Sequence, residues 1–103
     1  MTDFPVVSTG ENVICQVFSD HKDLMVAAFR FAAEGAIGAL HNQPPVQSTY
    51  VENGRFHFTS GSVEREVGLG DSFVIPSEQM HGYICLEPGM LVDCFTPRRD
   101  DFL

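Results

Sequence analysis

Two histidines and two glutamines are the side chains of this sequence best suited to chemistry: His41, Gln43, Gln47 and His81. His41 and Gln43 are two positions apart, so on an extended strand they point to the same side. Gln47 joins that side after the Pro44-Pro45 bend, and His81 begins a later strand. Two imidazoles and two amides that converge inside a barrel could hold a divalent metal ion with part of its coordination sphere open. The alternative is that the histidines are structural, because a histidine in a β-rich chain usually makes ordinary hydrogen bonds and glutamine is an uncharged ligand.

Asp93 and Arg99 are the next candidates, and both are proposed as catalytic residues. Asp93 interrupts an apolar run. If its side chain faces the mouth of a barrel, it is a partly buried carboxyl group suited to proton transfer. Arg99, alone or with Arg98, could bind a substrate carboxylate through two parallel hydrogen bonds. From the residues alone, the simpler interpretation is favoured, in which Asp93 points outward and the arginines are solvated.

Alternation along the strands adds four pocket residues. Tyr83 and Cys85 share the side of His81 and are predicted to line the pocket, together with Thr49 and Phe56 from an earlier segment. Cys85 is predicted to be part of the wall and not a nucleophile, because no neighbouring base is indicated.

The elements that must position these residues are short strands. Apolar or alternating runs bounded by turn residues predict an all-β barrel or jelly roll with about eight strands. Leu24–Ala32 is predicted as a strand, with a buried helix as the alternative. Asn53-Gly54 predicts a type I′ hairpin in which Val51 faces Phe56. That pairing puts five side chains on one interior face and leaves Tyr50 and His57 outward; the five are Gln47, Thr49, Val51, Phe56 and Phe58. The remaining predicted strands are Val13–Phe18, Val63–Val67, Ser72–Ile75, Gly82–Leu86 and Met90–Thr96, the last two separated by a turn at Glu87-Pro88-Gly89.

Composition limits the partners. The chain has 103 residues and a formal net charge of −8, with Lys22 as its single lysine. Nucleic acids and anionic membranes both need a positive surface, so neither is expected as a partner, and a small molecule is. The length fits a single domain over residues 1–103. The three cysteines are an odd number without a Cys-x-x-Cys pair, which indicates free thiols in a cytoplasmic protein.

The spacing of these residues resembles the two motifs of the cupin superfamily. The first cupin motif corresponds here to residues 35–54, with Gly35, then His41 and Gln43, then Gln47, then Gly54. The second corresponds to residues 70–85, with Gly70, Pro76, His81 and Cys85, and fifteen residues separate the two. The resemblance implies a small conical cupin (RmlC-like jelly-roll) barrel with a divalent metal ion, Ni, Zn, Fe or Mn, in its mouth.

Within the cupins, the chain resembles the small pectin-degradation, KdgF-like proteins. The string from Gly35 to His41, Gly-Ala-Ile-Gly-Ala-Leu-His, and the tail from Leu91 to Phe102 carry this resemblance. It implies a homodimer that opens or tautomerises unsaturated monouronates, with an Asp and an Arg near the positions of Asp93 and Arg99. The sequence departs from the group where Gln43 and Pro45 replace histidines, and Glu78 replaces the glycine of the second motif.

The sequence therefore supports two functional hypotheses, one for an enzyme and one for a binding protein. The preferred one is a metal-dependent isomerase or tautomerase that acts on an unsaturated uronate or similar acidic carbonyl compound. The other is a non-catalytic cupin that binds a small molecule at a degraded metal site. An iron dioxygenase fits less well, because two histidines without a carboxylate do not make the usual iron triad. For the homodimer, the N-terminal strand around Pro5–Val7 is expected to pair across a two-fold axis.

Overall fold

The structure, a computed structural model, describes residues 4–99, and its regular elements are all strands. They are β1 (Val6–Gly10), β2 (Val13–His21), β3 (Leu24–Phe31), β4 (Ile37–His41), β5 (Val46–Ser60), β6 (Val63–Gly68), β7 (Ser72–Ile75) and β8 (His81–Thr96). The all-β prediction is confirmed, and Leu24–Phe31 forms a strand and not the alternative helix. Within residues 4–99 there is no helix of the length and hydrophobicity needed to cross a membrane.

Two long strands, β5 and β8, organise the antiparallel sheet. They pair with each other along most of their length. The first half of β8 also pairs with β4 and its second half with β3. In the same way β5 pairs first with β7 and then with β6. Each long strand thus passes from one layer of a jelly roll to the other, and the remaining strands extend the two layers at their edges.

Alternating side chains of β5 form part of the core between the layers. Val51, Phe56 and Phe58 are buried, as are Gln47 and Thr49, which confirms the predicted interior face. Tyr50 is exposed and His57 forms an exposed pair with Glu64. Residues 51 and 56 are an odd number of positions apart and would face opposite ways on a regular strand. They share a face because the pairing of β5 with β8 shifts between residues 51 and 56.

The predicted hairpin at Asn53-Gly54 is wrong. Both residues lie within β5, and Asn53 pairs with Met90 of β8. Gly54 has a positive φ of +84°, as the dipeptide predicts. This conformation does not close a hairpin; it lies at the point where β5 crosses between the layers. The predicted turn at Glu87-Pro88-Gly89 is wrong for the same reason, because these residues form the irregular middle of one strand, β8, against β5.

This crossing gives a stability prediction. A Cβ on Gly89 would overlap the backbone carbonyl of Asn53, and one on Gly54 would lie 2.7 Å from the carbonyl oxygen of Glu87. Because backbone atoms cannot move aside as a flexible side chain can, we expect Gly89→Ala to lower the unfolding free energy by about 3 to 5 kcal/mol in urea titrations. Gly70→Ala is the matched control. Gly70 also has a positive φ but has nothing within 4 Å of the added atom, so we expect a loss of only about 1 to 2 kcal/mol. Equal losses in the two variants would contradict the close approach.

Candidate active site

A cavity of about 600 Å³ opens between the two layers. Its wall contains five residues of the predicted metal and catalytic sets, His41, Gln47, His81, Asp93 and Arg99, as well as the predicted pocket residue Tyr83. Much of the remaining wall is apolar and includes Val13, Phe29, Phe31, Leu91 and Phe95. The cavity therefore has a cluster of polar groups set against an apolar wall, as small-molecule sites commonly do.

The two histidines meet where β4 ends and β8 begins. They are register partners, and their ring centroids are 4.4 Å apart. His41 Nδ1 lies 2.9 Å from the carbonyl oxygen of Ala39, and His81 Nδ1 lies 3.0 Å from that of Gln79. A carbonyl oxygen only accepts, so Nδ1 is the donor in each ring, and in the neutral tautomer that this fixes the lone pair lies on Nε2. Both imidazoles are thus oriented as metal-binding histidines usually are.

His81 is the more deeply placed of the pair. Its side chain is buried, and its Nε2 has no hydrogen-bond partner among the described residues. Burial lowers the pKa of His81 below the ordinary value of 6.5; the hydrogen bond to Gln79 opposes this shift, and the nearby His41 and Arg99 add to it. A neutral ring with an unpartnered, buried nitrogen is the form in which histidine binds a metal ion.

A continuous row of hydrogen bonds links Arg99 to Asp93. Arg99 donates to Gln43 Oε1 (2.6 Å), and Gln43 Nε2 donates to Gln47 Oε1 (2.8 Å). Gln47 Nε2 then donates to the Thr49 hydroxyl (2.8 Å), which donates to Asp93 Oδ1 (2.6 Å). Arg99 also lies 3.5 Å from His41 Nε2. We call the row of five hydrogen-bonded residues, without His41, the Arg99–Asp93 chain; its members are Arg99, Gln43, Gln47, Thr49 and Asp93.

Asp93 points inward from β8 and is buried. Burial raises the pKa of its carboxyl group from 3.8 to about 7, against hydrogen bonds with Thr49 and Gln47 and the charge of Arg99, which lower it. The pKa of the buried Tyr83 hydroxyl is raised well above 10.0 by burial and by the neighbouring Asp93. Asp93 can therefore take up or release a proton near neutral pH, whereas Tyr83 stays protonated.

Three of the four predicted pocket residues lie elsewhere. Phe56 and Cys85 belong to the hydrophobic core and do not line the cavity, and Thr49 lies behind the wall as a link of the Arg99–Asp93 chain. Alternation identifies the face of a strand but not how far a residue lies from the mouth. For the same reason, alternation did not identify Asn42 as a cavity residue. Asn42 lines the cavity directly after β4 ends. Gln43 also follows β4 and does not lie on it.

The donor set fits a divalent metal ion. Residues 4–99 contain no group of three His, Cys, Asp or Glu side chains placed to bind a metal. Any ion here would therefore use the Nε2 atoms of His41 and His81 and complete its ligands with amide oxygen and water. Imidazole nitrogen suits Zn, Cu, Fe and Ni. Gln47 lines the cavity, whereas Gln43 does not.

Comparison with known proteins agrees with this architecture. No family model matches the sequence. The chain is 34% identical to the pectin degradation protein KdgF of Dickeya dadantii (strain 3937) over 101 residues, which are 96% of this chain and 91% of that protein. The structure of KdgF from Halomonas sp. superposes with a TM-score of 0.89 at 33% identity, covering 96% of this chain and 93% of that one. An RmlC-like cupin from Shewanella frigidimarina NCIMB 400 superposes with a TM-score of 0.91 at 32% identity, covering 98% and 90%.

Proposed function

The chain belongs to the RmlC-like cupins of the KdgF type, and from that premise we propose that it isomerises an unsaturated monouronate in pectin degradation. One observation carries the proposal beyond the family relationship. A buried carboxyl group with a pKa of about 7, a guanidinium group and two imidazoles whose Nδ1 atoms are directed at backbone carbonyls share a single cavity. These are the groups needed to move a proton on a substrate that carries a carboxylate.

A divalent ion would be held by Nε2 of His41 and of His81, with Gln47 as the third protein ligand. When bound, it supplies a Lewis acid for a carbonyl or hydroxyl oxygen of the substrate. Imidazole nitrogen suits Ni, Zn and Fe, and amide oxygen and water suit Mn, so the assay below uses each of these four ions.

The protein side chains account for the remaining steps. Ring opening gives an isomer, so the net change is the breaking of the ring C–O bond and the transfer of one proton from the anomeric hydroxyl to ring carbon C4. Asp93, in its ionised form, takes the hydroxyl proton, and its carboxyl group then returns a proton to C4. Arg99 binds the substrate carboxylate. The apolar side chains of the wall, which include Phe29 and Phe95, limit the access of water to the reacting atoms.

The test is a direct assay with unsaturated galacturonate. The protein, purified without chelators and then supplied with Ni²⁺, Zn²⁺, Fe²⁺ or Mn²⁺ in turn, should accelerate the loss of the ultraviolet absorbance of the conjugated double bond. Nuclear magnetic resonance should show a linear keto acid as the product. An unchanged rate with every metal would reject this substrate. If the protein also binds no metal, the non-catalytic binding cupin becomes the preferred function.

Arg99 and its neighbour Arg98 allow a matched test of substrate binding. Arg98 forms a two-point ion pair with Asp20, away from the cavity wall. We expect Arg99→Met to raise KM about 30-fold, because a hydrogen bond between charged groups contributes roughly 2 kcal/mol. Arg98→Met should leave KM unchanged and lower the unfolding free energy by about 1 kcal/mol. Equal KM values for the two variants would remove Arg99 from the substrate site.

We also propose a cytoplasmic homodimer. The three cysteines make no disulfide with one another, which suits a reducing compartment. Strand β1 lies at one edge of the sheet, and its Val6 and Val7 are 54% and 49% exposed. Pairing of β1 with the same strand of a second copy would cover this edge. Light scattering at micromolar concentration should give twice the chain mass of 11.4 kDa; a mass of one chain would contradict the dimer.

A further inference from the structure

Gln43 and Gln47 are chemically identical, but the structure gives them different surroundings. Gln47 lines the cavity, whereas Gln43 is 5% exposed and does not line it. The Oε1 of Gln43 accepts a hydrogen bond from Arg99 at 2.6 Å. We propose that Gln43 is a positioning residue and not a metal ligand: it ties Arg99 to Gln47 and so holds the guanidinium group beside His41. This inference rests on the proposed function in taking a divalent ion as the ligand of the cavity.

The charge on Arg99 is the first argument. An oxygen that already accepts a short hydrogen bond from a cation is poorly placed to bind a metal ion. Arg99 Nη1 lies 2.6 Å from Gln43 Oε1 but 3.5 Å from His41 Nε2, so this objection applies to Gln43 and not to His41. Arginine keeps its positive charge at all relevant pH values and only donates hydrogen bonds. Its contact with Gln43 Oε1 therefore places a positive charge on the atom with which this amide would bind an ion, and the two cations would repel each other there.

The direction of the Arg99–Asp93 chain is the second argument. At one end Arg99 can only donate, which turns the oxygen of Gln43 towards it and leaves Nε2 to donate to Gln47. At the other end Thr49 donates to Asp93, so its oxygen accepts from Gln47 Nε2. If the Gln43 amide were reversed, two NH₂ groups would face each other at Arg99 and two oxygens would face each other at Gln47. Both ends of the chain therefore specify the same orientation.

The residue type at position 43 follows from this role. The side chain must accept from Arg99 and donate to Gln47 at the same time, and an amide has one atom for each task. An imidazole that binds a metal through one nitrogen has only its other N–H left, which can donate but cannot accept from Arg99. We call the link that Gln43 makes between Arg99 and Gln47 the tie. Gln43→His should lose the tie and gain an additional metal ligand.

Metal affinity tests the first half of the proposal. We would titrate Ni²⁺ into the metal-free protein by calorimetry and compare Gln43→Leu, Gln47→Leu and Gln43→His. We expect Gln43→Leu to raise the Kd by no more than about tenfold, Gln47→Leu to raise it by at least about 100-fold, and Gln43→His to lower it by about tenfold. If Gln43→Leu weakens Ni²⁺ binding as much as Gln47→Leu does, Gln43 is a ligand and the proposal is wrong.

Side-chain amide exchange tests the second half and needs neither metal nor substrate. In the metal-free protein, the Nε2 protons of Gln47 should exchange with water about tenfold faster in Gln43→Leu and in Thr49→Val than in the wild type. Thr49→Ser, which keeps the hydroxyl group, should restore slow exchange. If exchange in Gln43→Leu equals that of the wild type, the tie does not exist. If the wild type binds no Ni²⁺ but these exchange differences appear, the metal part of the proposed function fails and the tie stands.

Discussion

Replacing His81 by alanine is expected to remove metal binding and, with it, catalysis. Within residues 4–99, His81 Nε2 is a buried nitrogen without a hydrogen-bond partner, and its Nδ1 is already directed at the carbonyl of Gln79. Removing a ligand should weaken Ni²⁺ binding by at least about 100-fold, more than the 10- to 100-fold loss typical for a residue that only orients a ligand. The variant should also lose the cost of a buried, unsatisfied nitrogen, so failure to fold is not the expected cause of inactivity.

Thermal unfolding gives a readout that does not depend on the substrate. For the wild type, Ni²⁺ at about 100 times its Kd should stabilise the fold by roughly 2.7 kcal/mol and raise Tm by about 10 °C or more. His81→Ala should show no rise at the same Ni²⁺ concentration. His57→Ala is the control, because His57 pairs with Glu64 on the exterior; its Tm should rise as in the wild type. A full rise in His81→Ala would rule out His81 as a ligand.

Replacing Asp93 by asparagine is expected to separate activity from stability. Asparagine fills the same space and can still accept the hydrogen bond from Thr49, but it cannot exchange a proton with the substrate. We expect kcat to fall by about 10² to 10⁴, the usual contribution of a positioned acid or base. Ni²⁺ affinity should change far less than kcat, since Asp93 is not among the proposed ligands. An unchanged kcat would exclude Asp93 from the chemistry.

The free energy of unfolding of the wild type should fall with rising pH relative to that of Asp93→Asn, because only the wild type carries the buried carboxyl group. The folded pKa of Asp93 is about 7, above its ordinary value of 3.8. Between about pH 4 and 7 the folded protein therefore keeps a proton that the unfolded chain releases, and this group costs stability as the pH rises through that range. Between pH 4 and pH 8, the free energy of unfolding of the metal-free wild type should therefore fall by a few kcal/mol relative to that of Asp93→Asn. This follows from about 1.4 kcal/mol for each unit by which the pKa is raised. Parallel stability curves for the two proteins in urea would contradict the raised pKa.

Much of the fold could be predicted because burial follows alternation. The interior positions of β5 follow the two-residue period on each side of Asn53-Gly54, and they are correct although this dipeptide does not close a hairpin. Asn53-Gly54 signals a positive φ, and only Gly54 has one. A local dipeptide cannot show whether that conformation closes a hairpin or lets another strand cross closely, because the crossing strand, Glu87–Gly89, is distant in the sequence.

The candidate site could be predicted in part. Spacing identified the two histidines and two glutamines, and the structure brings His41, Gln43, Gln47 and Arg99 within direct or shared contact. How deeply each side chain lies and which way each side-chain amide faces could not be predicted. Periodicity does not show that Cys85 belongs to the hydrophobic core and not to the cavity wall, and it does not show which way each side-chain amide faces, since both depend on residues far apart in the chain.

The passage of β5 and β8 through both layers has a consequence for how the molecule becomes functional. Gln47 and Thr49 come from one of these strands, and His81 and Asp93 come from the other. No hairpin of consecutive strands contains both sets, because β6 and β7 lie between β5 and β8 in the sequence although β5 and β8 pair directly. A nascent chain should therefore be unable to bind the proposed ion until β8, which begins with His81, has been synthesised and has paired with β5, so ion binding would report the assembled sheet.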